Sequence, residues 1–278
     1  MTAQIPLLEL IKQKLEQGDV ELPVFDAVAQ KVYDAVQNGT MDADGICNLL
    51  QEDPILVSEV LRMANSSFFS GLAEIETLQD AVVRLGMKQL SALVMSISQK
   101  RMYSCSGGLF HDRMVTLWQH VSVAALSARW IANNTGYKKI ADQAHVAALL
   151  HDVGKLSLLR IIEELASSGD LPISDDLVDA TLDLLHAEHG SALLELWGLP
   201  TVFSEIVRQQ SVEEIEEENV LLNIVRLADR ACAKEGISDR PNPDLCLDSL
   251  PETTFLAMDD ITMAELCIAI EDMVSVAA

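Results

Sequence analysis

The chain reads as an all-α protein, and three observations carry that reading. Apolar residues recur at helical steps nearly throughout. Helix-breaking pairs interrupt the pattern at short intervals. No two alternating stretches joined by a tight turn suggest a β-hairpin. In chain order, Asn38-Gly39 ends a first helical stretch, and Asp53-Pro54 opens another whose apolar face is Ile55, Leu56, Val60, Leu61 and Ala64. Asn65 and Ser66 read as the end of that helix and the cap of the next. Ala92 to Ile97 fits a buried helix as well as a strand. Met114, Leu117, Trp118, Val121, Ala125 and Ala128 form a longer helical stripe, and Leu171-Pro172 and Leu199-Pro200 punctuate the helical pattern beyond it.

Two seams divide the chain. One spans Lys100 to Gly108, where Gly107-Gly108 breaks the pattern; the other is the acidic stretch from Ser211 to Asn219. Carboxylates there suit a solvated helix start, where the dipole favours negative charge. Pro241, Pro243 and Pro251 precede an apolar ending from Ala264 to Val276, which reads as a docking helix or a partner-binding segment. The expected organisation is a helical N-terminal lobe at 1–103, a second lobe at 104–235 and a helical extension at 236–278.

Composition narrows the partners. The 278 residues are 49% hydrophobic, enough for a sizeable core. With 43 acidic against 19 basic residues the net charge is −24, which repels nucleic acid and anionic membrane alike. The five cysteines (Cys47, Cys105, Cys232, Cys246 and Cys267) include no Cys-x-x-Cys pair, so a reducing, cytoplasmic setting is expected. The N-terminal stretch lacks a signal-peptide pattern, and no apolar run reaches the ~18 residues of a membrane span.

The chemistry concentrates at His151-Asp152. Two adjacent metal-ligand side chains end the apolar run Ala147-Ala148-Leu149-Leu150, and Gly154 and Lys155 come directly after. The dipeptide alone is weak, since it recurs at His111-Asp112. Further ligand types inside apolar helical patterns strengthen it: His120 upstream and Asp229 downstream. Helices bury such groups only when they are paired, and two imidazoles with two carboxylates are tolerable around a divalent cation. A metal-free, hydrogen-bonded cluster satisfies the same argument. Asp229 has a second option in Arg226 or Arg230, and Lys155 either faces a phosphate or lies on the surface.

Other polar residues carry less. His186 and His189 share a helix face at i, i+3. His145 and His111 have no partner pattern, and Trp118, Trp130 and Trp197 read as core anchors. Ser127, Ser66 and Ser67 lack a base at a spacing suited to nucleophilic catalysis, and Gly107-Gly108 alone makes no phosphate loop.

The order His120, His151-Asp152, Asp229 resembles the HD superfamily of metal-dependent phosphohydrolases. Leu22-Pro23, Asp53-Pro54, Ala64-Asn65-Ser66, the Ala81 to Gly86 stretch, His186-Ala187-Glu188-His189-Gly190 and Trp197-Gly198-Leu199-Pro200 narrow the likeness to the HDOD subgroup, over roughly residues 20 to 235. The resemblance implies an all-α fold in which His120, His151, Asp152 and Asp229 hold one divalent cation (Mn, Mg, Fe, Ni or Zn). It implies catalytic roles for Asp152 and Lys155 if the site is active. Relatives with two metals add a histidine matching His186 and a later histidine pair. Gln209-Gln210 stands where that pair would be, leaving His186 as a remnant and any centre mononuclear. HDOD proteins are generally thought to act as regulatory platforms in bacteria. The expectation is therefore a stand-alone signalling module with a protein partner. The alternative is a phosphohydrolase acting on a nucleotide or related phosphoester.

Overall fold

A computed structural model describes residues 4–17, 20, 22–66, 74–104, 108–168, 173–212 and 219–277. Among them are thirteen α-helices, two short 3-10 turns and no strand. The helices are α1 (Gln4–Gln17), α2 (Ala27–Asn38), α3 (Ala43–Leu50), α4 (Pro54–Ala64), α5 (Leu78–Tyr103), α6 (His111–Asn134) and α7 (Ala141–Leu150). They continue as α8 (Val153–Ser168), α9 (Asp175–Leu196), α10 (Thr201–Gln209), α11 (Val220–Lys234), α12 (Pro251–Phe255) and α13 (Asp260–Ala277). Cys105, Gly107, Ser67, Leu171-Pro172 and the acidic run at 213–218 lie outside the described residues.

Local chemistry sets the N-terminal boundaries. Asp26 accepts from the backbone N–H of Val28 and Ala29 to start α2, and Gly39, at φ 62°, ends it in the left-handed conformation. Asp53 caps α4 in the same way, with Pro54 at a first-turn position where its missing N–H costs nothing. Arg101 then ties these starts together: its guanidinium lies 2.6 Å from Asp53, 3.2 Å from Glu59 and 3.5 Å from Asp26. The next cap departs from expectation. Asn65 does end α4, but its amide then pairs with both backbone groups of Ile75, and Thr77 rather than Ser66 caps α5. Ser66 precedes α5 by too many residues to reach its first free N–H groups. Inside α5, Gly86 leaves the helical region at φ 76° and kinks the rod.

The core is continuous from Leu7 to Met273. Helix α5 packs on α2 and α4 on one side and on α6 and α7 on the other. The tryptophans are half-buried anchors: Trp197 donates to the Pro23 carbonyl and stacks near Phe25, and Trp118 packs on Tyr103. His145 is a core histidine, 2.8 Å from Ser96 Oγ. Helices α7 and α11 both pack on α6, which brings three chain segments to one place. The apolar ending becomes α13, which lies along α6 with Leu266, Ile270 and Met273 buried. No helix among the described residues is long and apolar enough to cross a membrane.

Candidate metal centre

Helix α6 supplies His120, the α7–α8 junction supplies His151, which caps the end of α7, and Asp152, and α11 supplies Asp229. Both imidazoles and Asp152 are buried, while Asp229 is half-exposed and opens the cluster to one side. The Nε2 atoms of His120 and His151 lie 3.2 Å apart. Asp229 Oδ1 is 3.2 Å from His120 Nε2 and 3.8 Å from His151 Nε2. Asp152 Oδ2 lies 3.6 and 3.5 Å from the same two nitrogens. His120, His151 and Asp229 each offer one ligand atom within 4.8 Å of the others.

The tautomers follow from the far side of each ring. His120 Nδ1 is 2.8 Å from the Ile237 carbonyl, and His151 Nδ1 is 2.6 Å from the Ala148 carbonyl. A carbonyl can only accept, so each Nδ1 carries a proton and each neutral ring turns a lone pair inward at Nε2. Two lone pairs and two carboxylates then face one another, an arrangement that repels itself unless a proton or a cation sits among them. Imidazole nitrogen and carboxylate oxygen are ordinary ligands for a divalent ion, and Nδ1–H to carbonyl is the usual support for a ligating histidine. Metal bonds of ~2.1 Å separate ligand atoms by roughly 3–3.5 Å, close to the spacing observed. The residues therefore fit one cation.

Without a metal, protons serve instead. Burial pulls the His151 imidazole down, but the Asp152 charge and the hydrogen bond to Asp229 more than reverse this, raising it from 6.5 to about 9. Desolvation opposes ionisation of Asp152, yet Lys155 and the histidines hold its carboxyl well below the usual range. Asp229 is likewise held low by hydrogen bonds from His120 and His151 that outweigh its own desolvation. A raised folded-state value means that the His151 contribution is fully present below pH 6.5 and is lost as pH rises to about 9. Chelator-treated protein should lose on the order of a few kcal/mol of stability across that window, while metal affinity rises over it as the proton leaves. Denaturant unfolding of wild type and His151→Gln at both ends of the window checks this. A stability gap between them that stays constant with pH would exclude the proton's role.

Lys155 does not lie on the open surface. Its ammonium is 2.9 Å from Asp152 Oδ2 and 3.2 Å from Asp239, and its side chain is mostly buried. Burial alone would lower its pKa, but these carboxylates raise it, so it stays charged. Asp152 is thus shared between the imidazoles and Lys155. A cleft of about 390 Å³ opens beside Lys155, and its charged lining is Lys155 and Arg113 against Asp112, Asp179 and Asp239. Arg113 is itself paired, to Asp175 and Asp179.

His186 is buried close by but outside the cluster: Nδ1 bonds the Leu182 carbonyl and Nε2 lies 3.2 Å from Ser211 Oγ. His189 pairs with Ser157, and burial pushes it down to about 4. Gln210 donates its amide to the His151 carbonyl at 2.6 Å and so braces the α7–α8 junction. Arg226 and Arg230 do not take Asp229; both turn to Glu252. Sequence reasoning missed Asp239 and the Ile237 carbonyl. Both sit in a loop after α11 that has no periodicity to place it.

Two imidazoles and the Asp229 carboxylate within reach of one ion, with Asp152 beside them, make a candidate metal centre in an all-helical domain. The signature of the HDOD domain matches residues 22–212, and the chain belongs to that family. Asp229 lies beyond the matched stretch. An HDOD domain protein of unknown function from Geobacter sulfurreducens shares the fold at a TM-score of 0.78 and 20% identity, with 98% of each chain covered. A Shewanella amazonensis protein, provisionally assigned as a metal-dependent phosphohydrolase, aligns over 100% of both chains with a TM-score of 0.80 and 16% identity. A Marinobacter aquaeolei protein provisionally assigned to signal transduction gives 0.67 at 20% identity, covering 92% of this chain and 60% of its own. In sequence, an uncharacterised Treponema pallidum protein is 23% identical over 197 residues, and the chain spans 37% of its length.

Proposed function

We propose that the protein is a regulatory module of bacterial signal transduction, whose HD-type cluster holds one structural divalent cation and whose output is contact with a protein partner. The observation that carries this reading is the state of Lys155. A lysine meant for a phosphoryl oxygen should face the substrate with its charge available. Here two carboxylates neutralise it, and the cleft beside it has three acidic residues against two cations. Counted without the cation, the side chains of that cleft set net negative charge against a phosphoester. Of the positions expected to complete a second metal site, His186 and Gln210 are engaged in protein hydrogen bonds, which supports a mononuclear centre.

The second reading, a metal-dependent phosphohydrolase acting on a nucleotide or related phosphoester, draws on the assembled ligand set and on the Shewanella relative. In that case the cation would lower the pKa of a bound water and polarise a phosphoryl oxygen. Lys155 would have to release Asp239 to reach the substrate.

One panel separates the readings: metal content of protein purified without added metal, then hydrolysis of nucleotides and generic phosphoesters with Mn²⁺, Mg²⁺ or Fe²⁺ supplied. The module reading expects about one metal per chain and turnover at background in wild type, Asp152→Ala and Lys155→Ala. Robust wild-type turnover lost in Asp152→Ala establishes the enzyme instead. In that case Lys155→Ala should retain metal and lose mainly turnover. Two metals per chain would overturn the mononuclear assignment.

A further inference from the structure

A second cavity lies away from the metal cluster, where α4, α5, α6 and α7 meet. Each helix gives it one face. On α6 the lining residues Trp118, Ser122, Leu126 and Arg129 advance by steps of four, four and three. His120, two residues beyond Trp118, therefore points to the other side of the same helix. On α7, His145 and Leu149 stand one turn apart, and on α5 Ser96 and Lys100 do the same. Close-packed helix faces ordinarily leave no space at such a junction. Here about 50 Å³ remains, room for several waters or a short apolar group.

The walls are apolar, with a small polar set. His145 Nε2 and Ser96 Oγ form a buried pair at 2.8 Å, and Ser122 is also buried. The charged groups are Arg62, Lys100 and Arg129 against one carboxylate, Glu59. Glu59 is engaged by Arg101 at 3.2 Å, and Arg129 lies 3.3 Å from Asp142. A chain with 19 basic and 43 acidic residues has thus gathered three cations around one small apolar cavity. Burial lowers the Lys100 pKa, Arg62 adds to the effect and Glu59 opposes it, while the ammonium lies over the Trp118 ring at 5.8 Å.

We propose that this cavity is a binding site for a small monocarboxylic acid with a short apolar body. The body fills the space between Leu93, Ile97 and Leu126, and the carboxylate meets Arg62 and Lys100 at the rim. Few convergent polar groups on an apolar wall is the ordinary make-up of a small-molecule site. The space excludes a nucleotide base, and an apolar wall gives nothing to a fully hydrated phosphate. The site is independent of the metal-centre reading, since it shares helices with that cluster but no lining residue.

Calorimetric titration of the full chain with propionate, butyrate and isovalerate tests it, with butyramide, isovaleramide and inorganic phosphate as controls. Saturable binding by at least one carboxylate, absent for its amide and for phosphate, is the expected result. The double variant Arg62→Gln, Lys100→Gln should weaken it by about tenfold, from loss of charge-assisted hydrogen bonds. Its unfolding midpoint is compared with wild type to show that the fold is kept. Ala92→Leu, which fills the cavity from α5, should abolish binding. No saturable carboxylate binding at millimolar concentration overturns the proposal. Equal binding of amide and acid overturns the role of the cations, and equal binding of phosphate overturns the carboxylate assignment.

Discussion

Gly154→Ala should destabilise the protein by about 3 kcal/mol or more and lower its melting temperature by roughly 6–12 °C. A Cβ at this position would stand 1.9 Å from the carbonyl oxygen of His186, 2.8 Å from its carbonyl carbon and 2.9 Å from the backbone nitrogen of Gly190. None of these atoms can rotate aside, so α8 and α9 would have to part along their shared face. Gly190 is the reciprocal position: a Cβ there would meet the backbone of Gly154 at 3.0 Å and Val207 at 2.9 Å. The glycine between Asp152 and Lys155 is thus a place where two helices touch backbone to backbone. Gly39→Ala is the control, because its φ of 62° carries strain of about 1 kcal/mol in otherwise open space. Thermal and denaturant unfolding of both variants check this. A Gly154→Ala melting point within about a degree of wild type would show that the two helices are free to separate.

That contact shows where the sequence is legible and where it is not. Leu56, Val60 and Ala64 disclose the buried face of α4 because a helix repeats every 3.6 residues and the core selects one stripe, but Ile55 of the same expected face stands exposed, and α6 is buried all round from His120 to Ala128. Asp53-Pro54 discloses the start of α4 because the cap and the missing N–H act within one turn. His120, His151, Asp152 and Asp229 stand out as polar groups in apolar runs, and the fold does bring them together. The closeness of α8 to α9 is a relation between two glycines far apart in sequence, and neither announces its partner. Asp239 reaches Lys155 from a loop with no repeat to orient it. Ser66 looks like a cap by residue type, yet the chain runs on to Thr77 before α5 begins. Glu252 is the strongest such case. It comes directly after a proline in a five-residue helix too short for any pattern, and reads as one more surface carboxylate in an acidic chain.

Glu252→Ala should cost about 3–5 kcal/mol, the range for removing one partner of a buried ion pair. The carboxylate is fully buried, accepts a hydrogen bond from Arg230 at 2.8 Å and lies 2.7 Å from Arg226 Nε. Arg226 is itself only 3% exposed, so its charge would lose a carboxylate 2.7 Å away in the interior. High salt should do little to wild-type stability here, because a pair so enclosed is poorly screened. The metal cluster should feel the change as well. Arg226 and Arg230 bracket Asp229 on α11, and their clasp on Glu252 fixes that helix against α12. Loosening it allows Asp229 to drift from His120, so Glu252→Ala should also retain less metal after dialysis. The pair Arg226→Met, Glu252→Leu separates charge from packing: it removes both ions and keeps most of the volume, and should recover most of the lost stability. Denaturant unfolding with metal analysis of the two variants is the measurement. A single variant within about 1 kcal/mol of wild type would mean that water reaches Arg226 and that the clasp holds nothing in place.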